Sequence, residues 1–212
     1  MALTQSALDW EGMLNSSQEI VYQCVLDHLS ENPSLAQFFL CGPGGTGKTF
    51  LYTTLCICLH SQGKIVLCVV STGIAALLLP SGCTTHKLFK IPIDVDEMSS
   101  CFINRCTHLA ELLCQTNLIV WDETPMTAKM VFDAVDWILH DICAHLPGGG
   151  CPFGGIPIIL GGNFQQILPV VSKGDCTAIV SASPQFTCIW LHLELLTLHE
   201  NMHLADNCDG VN

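Results

Sequence analysis

Gly42-Pro43-Gly44-Gly45-Thr46-Gly47-Lys48-Thr49 reads G-x-x-x-x-G-K-T, between an apolar run from Phe38 to Cys41 and a helical stretch from Phe50 to His60. A strand before and a helix after are the context in which this spacing forms a phosphate-binding loop. Glycines let the backbone wind around an anion without Cβ clashes, so several N–H groups converge on it. The helix behind adds the positive end of its dipole. Gly42, Gly44, Gly45, Thr46, Gly47, Lys48 and Thr49 are therefore the candidate nucleotide-binding residues. Lys48 is expected to reach the β- and γ-phosphates of ATP, and the Thr49 hydroxyl to bind Mg²⁺.

Outward from the loop, apolar strand candidates alternate with helical stretches. The strands are Phe38–Cys41, Ile65–Val70, Leu118–Trp121, Ile156–Leu160 and Leu195–Leu198. The helices are Leu14–Leu29, the loop helix, a turn and helix over Gly73–Leu79, and Met126–His145. This is the βαβ pattern of an α/β fold, a mostly parallel sheet with helices on both faces. The run from Pro147 to Gly155 is read as a flexible loop. Ser16 with Glu19 reads as a capping box opening the first helix.

Composition narrows the class. Half of the 212 residues are apolar and 12% are charged, as in a globular domain. Met1 to Trp10 has neither a basic start nor an apolar core, so it is not a secretion signal. The apolar runs are broken by polar residues or glycine, so no membrane partner is expected. Fourteen cysteines lie without a C-x-x-C pair, which suits buried free thiols in a reducing compartment. His199 and His203 have helical i, i+4 spacing, but nothing in the sequence completes a zinc site around them. The formal net charge is −12, with six lysines and a single arginine, Arg105, so there is no basic stripe of the usual nucleic-acid kind.

Leu118 to Glu123 is an apolar strand ending in two carboxylates. Strand ends of this polarity face the ligand crevice of a parallel sheet. Asp122 is expected to hold Mg²⁺ with Thr49, and Glu123 to polarise the water that attacks the γ-phosphate. A base placed beside the phosphates favours hydrolysis over transfer to an acceptor.

Four segments now stand in order: the loop at 42–49, Ser71-Thr72-Gly73-Ile74-Ala75-Ala76, Asp122-Glu123-Thr124-Pro125-Met126, and Gly162-Asn163-Phe164-Gln165-Gln166-Ile167-Leu168-Pro169. Together they resemble the first RecA-like domain of the Pif-type (petite integration frequency) DNA helicases, over about residues 14–204. The resemblance implies a RecA-like P-loop NTPase fold: a helical segment at 1–30 with an adenine-reading motif, then the first RecA-like domain at 31–212. It implies ATP hydrolysis coupled to 5′-to-3′ movement on single-stranded DNA, in repair, recombination or transposition, in the nucleus or mitochondrion. Oligomeric state is not implied. By resemblance Gln18 reads adenine, although a capped helix start with a surface glutamine also fits. Ser71–Ala76 and Thr84-Thr85-His86 line the strand channel, and Gln166 senses the γ-phosphate. Lys48, Glu123 and Gln166 are thus the candidate catalytic residues. The family joins two such domains, and this chain is expected to hold only the first.

The pattern fails at arginines. The family's Gly-Asp-Phe-Arg-Gln reads Gly162-Asn163-Phe164-Gln165-Gln166 here, and its Asn-Met-Arg reads Asn201-Met202-His203. Arginine is also usual in the family where this chain has Cys83, Trp137, His140 and Cys176. A degenerate nucleotide-binding remnant without catalysis is therefore the alternative to an active enzyme. Each replacement, Asp to Asn included, is what a single C-to-T change produces on one strand or the other. If deamination at methylated CG sites eroded a mobile-element gene, sister copies in the same genome will carry arginine at 83, 165 and 203. Copies sharing Cys, Gln and His there would refute this history.

Overall fold

The computed structural model describes residues 2–93, 95, 101–165, 169 and 176–202. Six strands, β1 (Gln37–Cys41), β2 (Val66–Val70), β3 (Cys83–Thr84), β4 (Leu118–Asp122), β5 (Ile158–Gly162) and β6 (Glu194–Thr197), form one sheet in the order β3-β2-β4-β5-β1-β6. Every adjacent pair is parallel. Parallel strands need covering on both faces, and the uninterrupted apolar runs supply side chains to both.

Alternation along each strand divides the core in two. Phe38, Leu40, Cys68, Val70, Leu118, Val120 and Ile159 face α2 (Ser16–Glu31) and α3 (Lys48–Ser61). Phe39, Val69, Ile119, Trp121, Ile158 and Leu160 face the opposite way, toward α7 (Lys129–Cys143) and the short α6 (His108–Cys114). Val131, Phe132, Val135, Ile138, Leu139 and Ile142 recur at i, i+3 and i+4, giving α7 one apolar stripe. Its Phe132 ring stacks on Trp121 at 4.4 Å between centroids. An outer helix, α1 (Ala2–Glu11), packs on α3, with Trp10 stacked on Phe50.

Several expected boundaries move, each for a local reason. Pro157 cannot donate to a ladder, so β5 starts at Ile158 and runs to Gly162. Pro125 sits in a 3-10 turn, Thr124–Met126, and Thr127 is extended, so α7 begins at Lys129 rather than Met126. α2, the first helix expected from the sequence, is capped by Asn15, not Ser16. Asn15 Oδ1 accepts from Gln18 N at 2.8 Å and Gln18 Oε1 accepts from Asn15 N at 3.1 Å. The helix expected over Gly73–Leu79 is a single turn, α4 (Gly73–Ala76). Residues 147–155, expected to be a flexible loop, pack against α7: Phe153 is fully buried and its N–H donates to Asp136 Oδ1 at 2.5 Å. α1, α6, β3 and α5 (Thr85–Phe89) are too short or too weakly patterned to have been read.

Replacing Trp121 by alanine removes the largest fully buried side chain of the sheet. It should cost about 3–5 kcal/mol in a urea unfolding experiment.

Candidate nucleotide site

The loop leaves β1 and turns into α3 through Gly47, which is the helix N-cap in the left-handed region at φ 77°. A side chain there would be strained, and its Cβ would overlap the Gln18 amide. Lys48 folds back over the loop, its Nζ donating to the Gly42 carbonyl at 2.6 Å and the Pro43 carbonyl at 3.3 Å. The Thr46 hydroxyl donates to Pro43 O at 2.9 Å. Gln18 is fully buried, against the surface glutamine of the simpler reading, and its Nε2 donates to Thr46 O at 3.1 Å. It thus links the α2 cap to the loop. From the opposite side Met202 N donates to Gly45 O at 2.9 Å.

A cavity of about 590 Å³ opens over the loop, lined by Gly44–Phe50, Gln18, Met13 and Met202, and by Asp122 and Glu123 at its far wall. The cavity unites two strand ends that are not neighbours, since β5 lies between β1 and β4. What makes room is Gly161. A Cβ there would overlap the Tyr52 hydroxyl and approach Asp122 Oδ1 to 2.6 Å. Neither Gly161 nor Tyr52 was picked out from sequence, although a strand ending in Gly161-Gly162 was a usable signal of close approach.

Asp122 is buried, and its Oδ1 accepts from the Tyr52 hydroxyl at 3.4 Å. Burial pushes its carboxyl above the ordinary range, opposed by the Glu123 N–H, the Lys48 charge and Tyr52. Glu123 is also pushed up, first by burial and then by Asp122, with Lys48 opposing. Its backbone is left-handed at φ 57°, an uncommon conformation for glutamate. Ser71 holds it there, the hydroxyl donating to Glu123 O at 3.1 Å. Thr49 lines the cavity. The structure thus brings together every candidate site residue except Gly42, which lies beneath Lys48, and Gln166, which is outside the described residues, as is His203.

Other motif residues lie near the same sheet edge. Thr72 caps α4 and Thr84 caps α5, each hydroxyl oxygen accepting a backbone N–H. Thr85 donates to Val70 O at 3.1 Å, tying the two segments together at the carboxyl ends of β2 and β3. Asn163 is buried, its Oδ1 accepting from Gln165 N at 2.9 Å. Arg105 is on the surface, paired with Asp141 of α7 and remote from the phosphate loop's lining.

Gly161→Ala should destabilise the chain by about 1–3 kcal/mol through overpacking. Tyr52→Phe in the same chain should recover part of that loss in urea melts.

A family profile described as PIF1-like helicase matches residues 13–211. ATP-dependent DNA helicase PIF4 of Trypanosoma brucei brucei is 29% identical over 147 residues, 68% of this chain and 17% of that protein. ATP-dependent DNA helicase Pif1 of Psychrobacter sp. is 31% identical over 139 residues, 65% of this chain and 20% of that protein. The chain thus spans about a fifth of the length of these two curated relatives. Among solved structures, Bacteroides Pif1 bound to ssDNA superposes with a TM-score of 0.70 at 23% identity, over 89% of this chain and 42% of that one. Pif1 helicase from Candida albicans gives 0.69 at 23%, over 89% of this chain and 40% of that one, and both establish the same fold. With the profile spanning nearly the whole sequence, the chain belongs to the PIF1-like helicase family.

Proposed function

We propose that this chain is the ATP-hydrolysing domain of a DNA helicase that moves 5′-to-3′ along single-stranded DNA, in repair, recombination or transposition, in the nucleus or mitochondrion. One observation carries the reading. Lys48 and the Asp122–Glu123 pair line a single cavity although a whole strand separates their own strands. The cavity suits a triphosphate: backbone N–H groups from Gly44 to Thr49, one ammonium, and two carboxylates positioned for a cation and a water.

In this reading Lys48 exchanges the Gly42 carbonyl for phosphate oxygens. The Thr49 hydroxyl and Asp122 are the groups that would hold Mg²⁺, which when bound neutralises part of the triphosphate charge. Glu123 accepts the proton of the attacking water as oxygen bonds to the γ-phosphorus and the bridging oxygen departs with ADP. Gln18 keeps a second amide hydrogen for an adenine edge while its first holds the loop. Gln166 takes the coupling role that its motif implies. The Thr72 and Thr84 hydroxyls accept cap bonds, and their hydrogens are available to donate to DNA phosphate.

A second reading, a nucleotide-binding remnant without turnover, draws on Asn163 and on Arg105, the chain's one guanidinium, being paired with Asp141. Single-turnover hydrolysis with and without single-stranded DNA separates the two. Phosphate release that DNA stimulates and Lys48→Ala abolishes supports the first. Binding of Mg·ATP without release establishes the second. Glu123→Gln should retain ATP and lower turnover by on the order of 10²–10⁴-fold. Because burial and Asp122 raise Glu123, and the base must be ionised, turnover should fall away at a higher pH than for an exposed glutamate.

A further inference from the structure

On the flank of the sheet away from the nucleotide cavity, α2 crosses the edge strand β6. Cys24 and His28 are four residues apart on α2 and so share a face. β6 is in parallel register with β1, pairing Glu194 with Phe38, whose side chain points toward α2. The register therefore aims Glu194 at the same face. One ligand atom from each of Cys24, His28 and Glu194 lies within 4.8 Å of the others.

The geometry of His28 is the informative part. Its Nδ1 lies 2.9 Å from the Cys24 carbonyl, an acceptor, so that nitrogen carries the hydrogen. The ring is further fixed edge-on against Phe38 at 5.3 Å. Nε2 is thereby left as the outward nitrogen, and it faces Glu194 Oε2 at 3.3 Å. Facing a carboxylate, that nitrogen needs a cation on its lone pair, either a proton or a metal ion. The Cys24 thiol donates to the other carboxylate oxygen at 3.8 Å, and its sulfur lies 3.7 Å from His28 Nδ1. A histidine whose second nitrogen is tied to a backbone carbonyl is the usual arrangement of a metal ligand.

We propose that Cys24, His28 and Glu194 form a zinc-class metal site that staples α2 to β6. One thiolate, one imidazole and one carboxylate are the donor types of tetrahedral Zn²⁺, and sulfur with nitrogen selects it over Mg²⁺ or Ca²⁺. Three side chains leave the fourth position to water. Binding displaces the Cys24 thiol proton to solvent, so the thiolate and carboxylate together balance the two positive charges. The site is remote from turnover chemistry, but it anchors the helix whose N-terminal end carries the Gln18 contact to the phosphate loop.

The test is cobalt and zinc titration of the whole 212-residue chain under reducing conditions. Co²⁺ should bind at one equivalent with a thiolate charge-transfer band and tetrahedral visible bands. Zn²⁺ should displace it and raise the melting temperature. Cys24→Ser should abolish the charge-transfer band. Glu194→Gln, an exposed position that should fold normally, and His28→Gln should each weaken binding on the order of 100-fold, somewhat more than the loss of a supporting residue. No band, or a band that persists unchanged in Cys24→Ser because other cysteines bind, overturns the proposal. So does a melting temperature insensitive to Zn²⁺, which would leave a proton-mediated His28–Glu194 pair only.

Discussion

A carboxylate cannot be taken out of water at the end of a fully covered sheet without partners, and Asp122 is such a carboxylate. Its surroundings read as an answer to that constraint: the Tyr52 hydroxyl, the Glu123 N–H and the Lys48 ammonium all favour the ionised form. The answer is incomplete, because burial still raises the carboxyl and Glu123 brings a second negative charge alongside. Carboxyls raised in this way bind protons more tightly folded than unfolded. They oppose folding above their folded pKa and stop doing so as the pH falls below the unfolded one. A pair of carboxylates under that strain gains from any cation placed between them.

The same constraint explains how much was legible in the sequence. The phosphate loop, the strand-end carboxylates and the apolar runs are local signals, and they single out Lys48, Thr49, Asp122 and Glu123, which line one cavity, although α3 begins at Lys48 and not at Phe50. Strand order is not local. That β5 intervenes, and that Gly161 must lack a side chain for Tyr52 and Asp122 to meet, emerges only when distant segments are packed. The Gln18 contact with Thr46 spans 28 residues and was likewise invisible, as was the cluster of Cys24 and His28 with Glu194, 170 residues further on for the cysteine. Two of the boundary shifts originate in proline: Pro125 and Pro157 each delay the start of the element that follows.

Two positions at which the resemblance implies arginine, Trp137 and His140, lie on α7. Trp137 is about half exposed on α7, an awkward residue for a solvated helix face. His140, one turn beyond Asp136, lies 3.2 Å from its carboxylate, which burial pushes up and the His140 contact opposes. A guanidinium at 140 would hold that carboxylate far more firmly at neutral pH.

Arg105 closing on Asp141 has a consequence for how this domain would meet a polyanion. With the one guanidinium paired and the body strongly acidic, contact with a nucleic-acid backbone would rest on few cations, Lys87 and Lys90 beside the α5 turn among them, and on hydroxyls and peptide N–H groups. Such contacts displace few condensed counterions, so any affinity of the isolated domain would vary little with ionic strength. Encounter would be slowed, not steered, by long-range electrostatics, most of all in dilute buffer.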